Sequence, residues 1–278
     1  MAWHSPDKQA LPIRIFALSR FTVLVGTERL SFTHKAQNRP LDLLKALIAF
    51  GGRDVPETRV LDALWPNMEA DAAERALSVA LRRLRRLLEC CTAIQRSGRC
   101  LTLDAQCIWV DAWAFERGLA TAQAAPLSAR ASLLAEALRY YQRPLLWGEE
   151  APWAECARER LRWKAVSKTV ELCQSLTCTE APRAVAHLYL AMIDAEPGEE
   201  RLYLHLLDHY ARSGANEEFI ALYRRGLRAL RAVGIEPSPH YESIYRSFWA
   251  ASVSHPPLKQ ASASAAAQAR SQEDLARG

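Results

Sequence analysis

The sequence predicts a mainly α protein in two parts, an α+β N-terminal part and an all-α C-terminal part of repeated helix pairs. Strand-like runs rich in β-branched residues cluster at residues 13–32 and 94–103. Elsewhere a helical period dominates, and fourteen prolines against eleven glycines in 278 residues argue against a β-sandwich or a fibrous chain. The length is sufficient for two domains, each with its own core.

The first elements are two strands, Ile13 to Leu18 and Phe21 to Val25. Gly26-Thr27 turns the chain into a third near Arg29 to Phe32. Leu41, Leu44, Leu47 and Ile48 then form one apolar helical face, with Pro40 in the first turn and Gly51-Gly52 as the stop. A shorter helix spans Glu57 to Trp65 and ends at Pro66, and a longer one spans Asp71 to Glu89. Ile94 to Arg96 and Cys100 to Leu103 flank the turn signal Ser97-Gly98-Arg99 and read as a hairpin. Strands, three helices and a hairpin are the outline of a winged helix-turn-helix.

From about Leu119 the pattern is helical throughout. The expected helices are Leu127 to Tyr141, Trp153 to Leu176, Pro182 to Ala195, Glu199 to Arg212, Glu217 to Val233 and Pro239 to Ala250. Pro197-Gly198, Ser213-Gly214 and Gly234 separate the last of them. Paired antiparallel helices at this spacing suggest an array of the tetratricopeptide kind, whose repeat is about 34 residues. The domain expectation is therefore residues 12–118 for the winged part and 119–250 for the helical repeats. The Ala-, Ser- and Gln-rich remainder, 251–278, is expected to be a disordered tail.

The third helix carries the chemistry. At 100° per residue, Leu77, Leu81, Leu84 and Leu88 share one face, while Arg75, Ser78, Val79, Arg82, Arg83 and Arg86 lie on or beside the opposite one. An ordinary solvated helix face mixes both charge signs, but after Glu74 this helix has no acid until Glu89. The guanidinium fork can pair with guanine O6/N7 or with phosphate. Arg96 and Arg99 flank the tip of the hairpin and are placed to meet phosphate or the minor groove. Charge agrees with this: residues 1–118 hold 17 basic and 13 acidic side chains, the remaining 160 hold 19 and 18. DNA is the anionic partner this distribution suggests.

Other classes find little support. No run of about 18 apolar residues exists, and Met1 to Ala10 lack the apolar core of a signal peptide, so a cytoplasmic protein away from membranes is expected. Seven irregularly spaced cysteines, with Cys90 and Cys91 adjacent, read as reduced thiols and not as a disulfide framework. No nucleotide-binding motif and no catalytic constellation can be assembled, so neither a cofactor nor an enzyme is expected. His205 and His209 stand four apart without an accompanying glutamate motif, and no metal is expected. Trp65, Trp109 and Trp113 are expected to pack the junction between wing, helices and repeats.

Several runs also resemble a known family. Leu77-Ser78-Val79-Ala80-Leu81-Arg82-Arg83-Leu84-Arg85-Arg86-Leu87-Leu88 resembles the recognition helix of OmpR-type DNA-binding domains. Arg39 to Leu47, Leu61 to Pro66 and Val110 to Phe115 resemble that domain as it occurs in activators of the antibiotic regulatory protein (SARP) type. Trp153, Glu159-Arg160-Leu161 and the stretch from Asp194 through Tyr210, Gly214 and Tyr223 to Gly234, Pro237 and Ser238 resemble the bacterial transcriptional activator domain that follows it. The similarity runs over residues 12 to 248. It implies a transcriptional activator that binds repeated elements of double-stranded promoter DNA in tandem and recruits RNA polymerase; a homodimer on DNA is one assembly this allows. The rival reading is a helical-repeat scaffold for a signalling partner, with a winged part that no longer reads DNA.

Overall fold

The structure, a computed structural model, describes residues 12–30, 38–176 and 182–254. The chain forms two compact units that divide between Glu196 and Pro197. The expected tail falls outside the described residues, apart from the end of the last helix.

The first unit opens with β1 (Ile13–Phe16) and β2 (Thr22–Val25), an antiparallel pair, followed by β3 (Glu28–Arg29). The third strand is shorter than the sequence suggests, and Ser31 and Phe32 lie outside the described residues. Next come α1 (Asn38–Ala49), β4 (Val55–Pro56), α2 (Glu57–Leu64) and α3 (Ala70–Leu87). The hairpin β5 (Ile94–Ser97) and β6 (Cys100–Leu103) pairs in register Ser97↔Cys100. Gly98 and Arg99, between them, have φ of 56° and 59°, as a two-residue hairpin turn of the primed type requires. β4 adds to the other edge of β6, which makes a three-stranded wing sheet. α3 stops two residues earlier than the sequence suggests, because Glu89 is left-handed, with φ 52°.

Besides β4, two elements were not foreseen. β7 (Ile108–Val110) returns the chain alongside β1, in parallel, so the first sheet has the order β3-β2-β1-β7. α4 (Asp111–Ala124) follows directly, eight residues before the point where the sequence reads as uniformly helical. Asp111 locks the join. Its buried carboxylate accepts hydrogen bonds from the N–H groups of Ala17 (2.8 Å), Leu18 (3.0 Å) and Ala112 (2.7 Å). A buried charge survives only when such donors replace its water, and the first turn of a helix adds a favourable dipole.

α5 (Leu127–Leu138), α6 (Pro152–Leu176) and α7 (Pro182–Ala195) complete the unit and match expectation, α5 ending three residues sooner. These helices pack directly on the winged part. Arg160 of α6 donates to the Ala49 carbonyl at the end of α1 (2.9 Å), and Lys45 of α1 pairs with Glu149 (2.8 Å). The N–H groups of Arg143 and Leu146 donate to the carbonyls of Leu18 and Ala17. Trp109 lies between Phe16 and Tyr140, with ring centroids 5.5 and 5.7 Å away, and Trp65 is buried as well.

The second unit contains α8 (Glu200–Ser213), α9 (Asn216–Ala232) and α10 (Pro239–Ser254). Gly214 ends α8 at φ 71°, a left-handed C-cap that favours glycine. Glu200 accepts from the Ser238 N–H and hydroxyl, which ties the start of α8 to the entry of α10. Helix pairs of this kind, following a winged helix-turn-helix in the chain, are the mainly α architecture that the sequence predicts.

Candidate nucleic-acid interface

α3 owes its orientation to a strict division of its faces. Leu77, Leu81, Leu84 and the capping Leu88 are buried, and α3 packs on both α1 and α2. Burial of each leucine is worth about 1.5–3 kcal/mol, so the helix cannot rotate about its axis without losing several of them. The opposite face is thereby presented outward.

Every residue expected on that face is exposed: Arg75, Ser78, Val79, Arg82, Arg83 and Arg86. The four arginines make no hydrogen bond or ion pair with other described residues. Four cations on one face, with no acid answering them, repel one another and attract an anion of matching reach. Arg85, at the flank, is already committed. Its Nε and Nη2 donate to the Ile94 carbonyl at 3.1 and 2.7 Å and fix α3 to the wing.

The wing arginines differ from the helix arginines. Arg96 donates from Nε and Nη2 to both carboxylate oxygens of Glu57, at 2.5 and 2.7 Å, and from Nη1 to the Ser78 hydroxyl at 3.3 Å. This holds its guanidinium pKa above the usual value. Arg99, at the left-handed tip position, pairs with Glu74 of α3. Thus Ser78, Arg96 and Arg99 form a seam between α3 and the wing, while Arg75, Arg82, Arg83 and Arg86 stay free. Glu57 and Glu74 are the parts of this site that sequence reasoning missed. Their only advance sign is position: Glu57 opens α2, and Glu74 is the last acid before the arginine-rich stretch.

No other cluster competes. Among the described residues no group of three or more His, Cys, Asp or Glu side chains could hold a metal ion. Burial lowers the pKa of His205, and His209 is buried in α8. The six described cysteines are free thiols, and Cys178 lies outside the described residues. No described helix is long and apolar enough to cross a membrane.

Comparison with known proteins agrees with this architecture. The family model of the bacterial transcriptional activator domain matches residues 110–248. Among solved structures, the chain is similar to Mycobacterium tuberculosis EmbR in complex with a low-affinity phosphopeptide. The TM-score is 0.58, over 95% of this chain and 71% of that one, at 19% sequence identity. At that identity the likeness shows the fold alone. No curated protein matches the chain.

Proposed function

The chain belongs to the family that carries the bacterial transcriptional activator domain, and on that premise we propose that it is a sequence-specific, DNA-binding activator of transcription. One observation carries the DNA-binding half of this reading, the free face of Arg75, Arg82, Arg83 and Arg86 on α3. A recognition helix reaches deepest into the major groove at its N-terminal end. Arg75, Ser78, Val79 and Arg82 are therefore the base-edge candidates, and Arg83 and Arg86 the phosphate contacts. Arg96 and Arg99 reach phosphate only by leaving, or sharing, their bonds to Glu57 and Glu74.

The helices from α4 onward supply the activating surface, with RNA polymerase as the partner and the cytoplasm as the compartment. The chain acts as a homodimer on repeated promoter elements, and the reaction needs neither cofactor nor catalysis. A second reading, a scaffold that binds a signalling protein, draws on Trp147 and Trp163, which are 57% and 68% exposed on the first unit.

The test is selection of bound sites from a random duplex library with the full chain, followed by affinity measurement at two salt concentrations. The reading expects one recovered motif, bound at least about a thousandfold more tightly than random duplex. Binding without sequence preference, or no salt-dependent binding, overturns it in favour of the scaffold.

A further inference from the structure

A cavity of about 290 Å³ lies in the first unit, where the winged part meets α4. Its origin is the turn between α1 and β4. Gly51 and Gly52 have φ of 98° and 71°, and a Cβ on Gly52 would stand 2.2 Å from Trp113 Cζ2, so only glycine lets the turn lie against the indole. The Gly52 carbonyl accepts from the Leu103 N–H at 2.7 Å, which brings wing strand β6 to the same place. Trp113, Glu116 and Arg117 follow at the i, i+3, i+4 spacing of one helix face. An adjoining cavity of about 220 Å³ shares Gly51, Trp113 and Glu116 and continues toward Leu145 and Leu161.

The charges around this space are unevenly committed. Glu116 is paired with Lys164 at 2.6 Å. Arg160 is bonded to the Ala49 carbonyl, and Arg53, at the rim, faces Asp54 at 3.5 Å. Arg117 also lines the cavity, is partly buried, and makes no hydrogen bond or ion pair with the described residues. Burial lowers its pKa against the smaller opposing effects of Tyr140 and Glu116, and a bound anion would offset the burial further. Carboxylate is the anion that fits a guanidinium with two parallel hydrogen bonds, and Trp113, Leu103 and the glycine backbone offer an apolar wall beside it.

We propose that this cavity is a binding site for a small aromatic or acyl monocarboxylate, with its carboxylate on Arg117 and its apolar body against Trp113 and Leu103. The occupant touches the α1–β4 turn, wing strand β6 and α4 at once. It therefore bridges the winged part to the first helix of the activator domain, and the wing that lies against α3 feels its presence.

The experiment uses the full chain without DNA, so its outcome is independent of the DNA-binding reading. Phenylacetate and octanoate are titrated against their neutral amides, read by tryptophan fluorescence and by ligand-observed saturation transfer. Both acids are expected to saturate one site, with the amides at least tenfold weaker. Arg117→Gln is expected to abolish that discrimination and Arg117→Lys to retain part of it, with unchanged circular dichroism and no loss of melting temperature in either. Absence of saturable binding by either acid overturns the proposal. So does equal binding of acid and amide, or binding that Arg117→Gln leaves unchanged.

Discussion

Arg96, on the wing, closes a two-pronged hydrogen-bonded ion pair on Glu57, the first residue of α2, across 39 positions of sequence. Glu57 is only 2% exposed while Arg96 is 39% exposed, so the acid depends on the arginine more than the arginine on the acid. The third guanidinium nitrogen donates to Ser78 of α3. One side chain thus ties α3, α2 and the wing together.

Removal of Arg96 leaves a buried carboxylate without its charged partner. Arg96→Ala is expected to destabilise the protein by about 2–3 kcal/mol in urea unfolding. The double variant with Glu57→Gln should recover much of that loss, since the orphaned charge is then gone. If Arg96 also meets phosphate, the double variant binds DNA with a salt slope reduced by about one unit. An unchanged slope would restrict Arg96 to positioning the wing.

Arginines of α3 are expected to separate into two groups. Arg75→Ala and Arg82→Ala should each cost about 1–3 kcal/mol on the selected site and relax preference at one or two base pairs. Arg83→Ala and Arg86→Ala should weaken binding to every duplex alike. Leu84→Ala, in the core beneath them, should cost about 2–5 kcal/mol of stability before any change in preference appears. An affinity matrix of these variants against the selected site and its single-base mismatches decides the matter. Parent-like discrimination in the Arg75 and Arg82 variants would leave the face as mere solvated charge.

The chain should tolerate a cut between its compact units better than one at Leu119. Residues 1–196 keep the Arg160–Ala49 bond, the Lys45–Glu149 pair and the β1-end carbonyls bonded to Arg143 and Leu146. Residues 1–119 lose all of these and expose the face of α1 that α6 covers. The longer fragment is expected to bind DNA as the full chain does, the shorter to melt at lower temperature and bind more weakly. Neither should stimulate transcription if activation needs α8 to α10. Equal melting temperatures would refute the structural part of this expectation.

Thiol reactivity should follow local hydrogen bonding. Thr92 holds the Cys90 thiol below its usual pKa through a 3.3 Å contact, whereas burial raises Cys107 and pushes Cys173 up to about 12. Since the thiolate is the nucleophile, Cys90 gains reactivity at a lower pH than Cys107. Mass spectrometry after iodoacetamide at pH 7.5, taken as about one unit below an ordinary thiol, should find Cys90 labelled before Cys107, with Cys173 protected in the folded chain. Thr92→Val should slow labelling at Cys90. Equal rates at Cys90 and Cys107 would contradict it.

The helices were largely legible in the sequence. Leu77, Leu81, Leu84 and Leu88 announce both α3 and its outward arginine face, because a period of 3.6 is a local property that needs no partner to be recognised. The hairpin around Gly98-Arg99 was legible for the same reason. β7 was not. Its three residues are buried on both faces, show no alternation, and become a strand only by pairing in parallel with β1, some 95 residues earlier. Nor was the role of Asp111, which exists only where the N–H groups of Ala17 and Leu18 converge on it in the folded chain. Glu57 and Glu74 likewise gained their meaning only when the wing folded back onto α2 and α3. Which arginines exist, and on which face, is written in local periodicity; which stay free is decided by distant carboxylates, because an ion pair depends on distance in space and leaves no period in the chain.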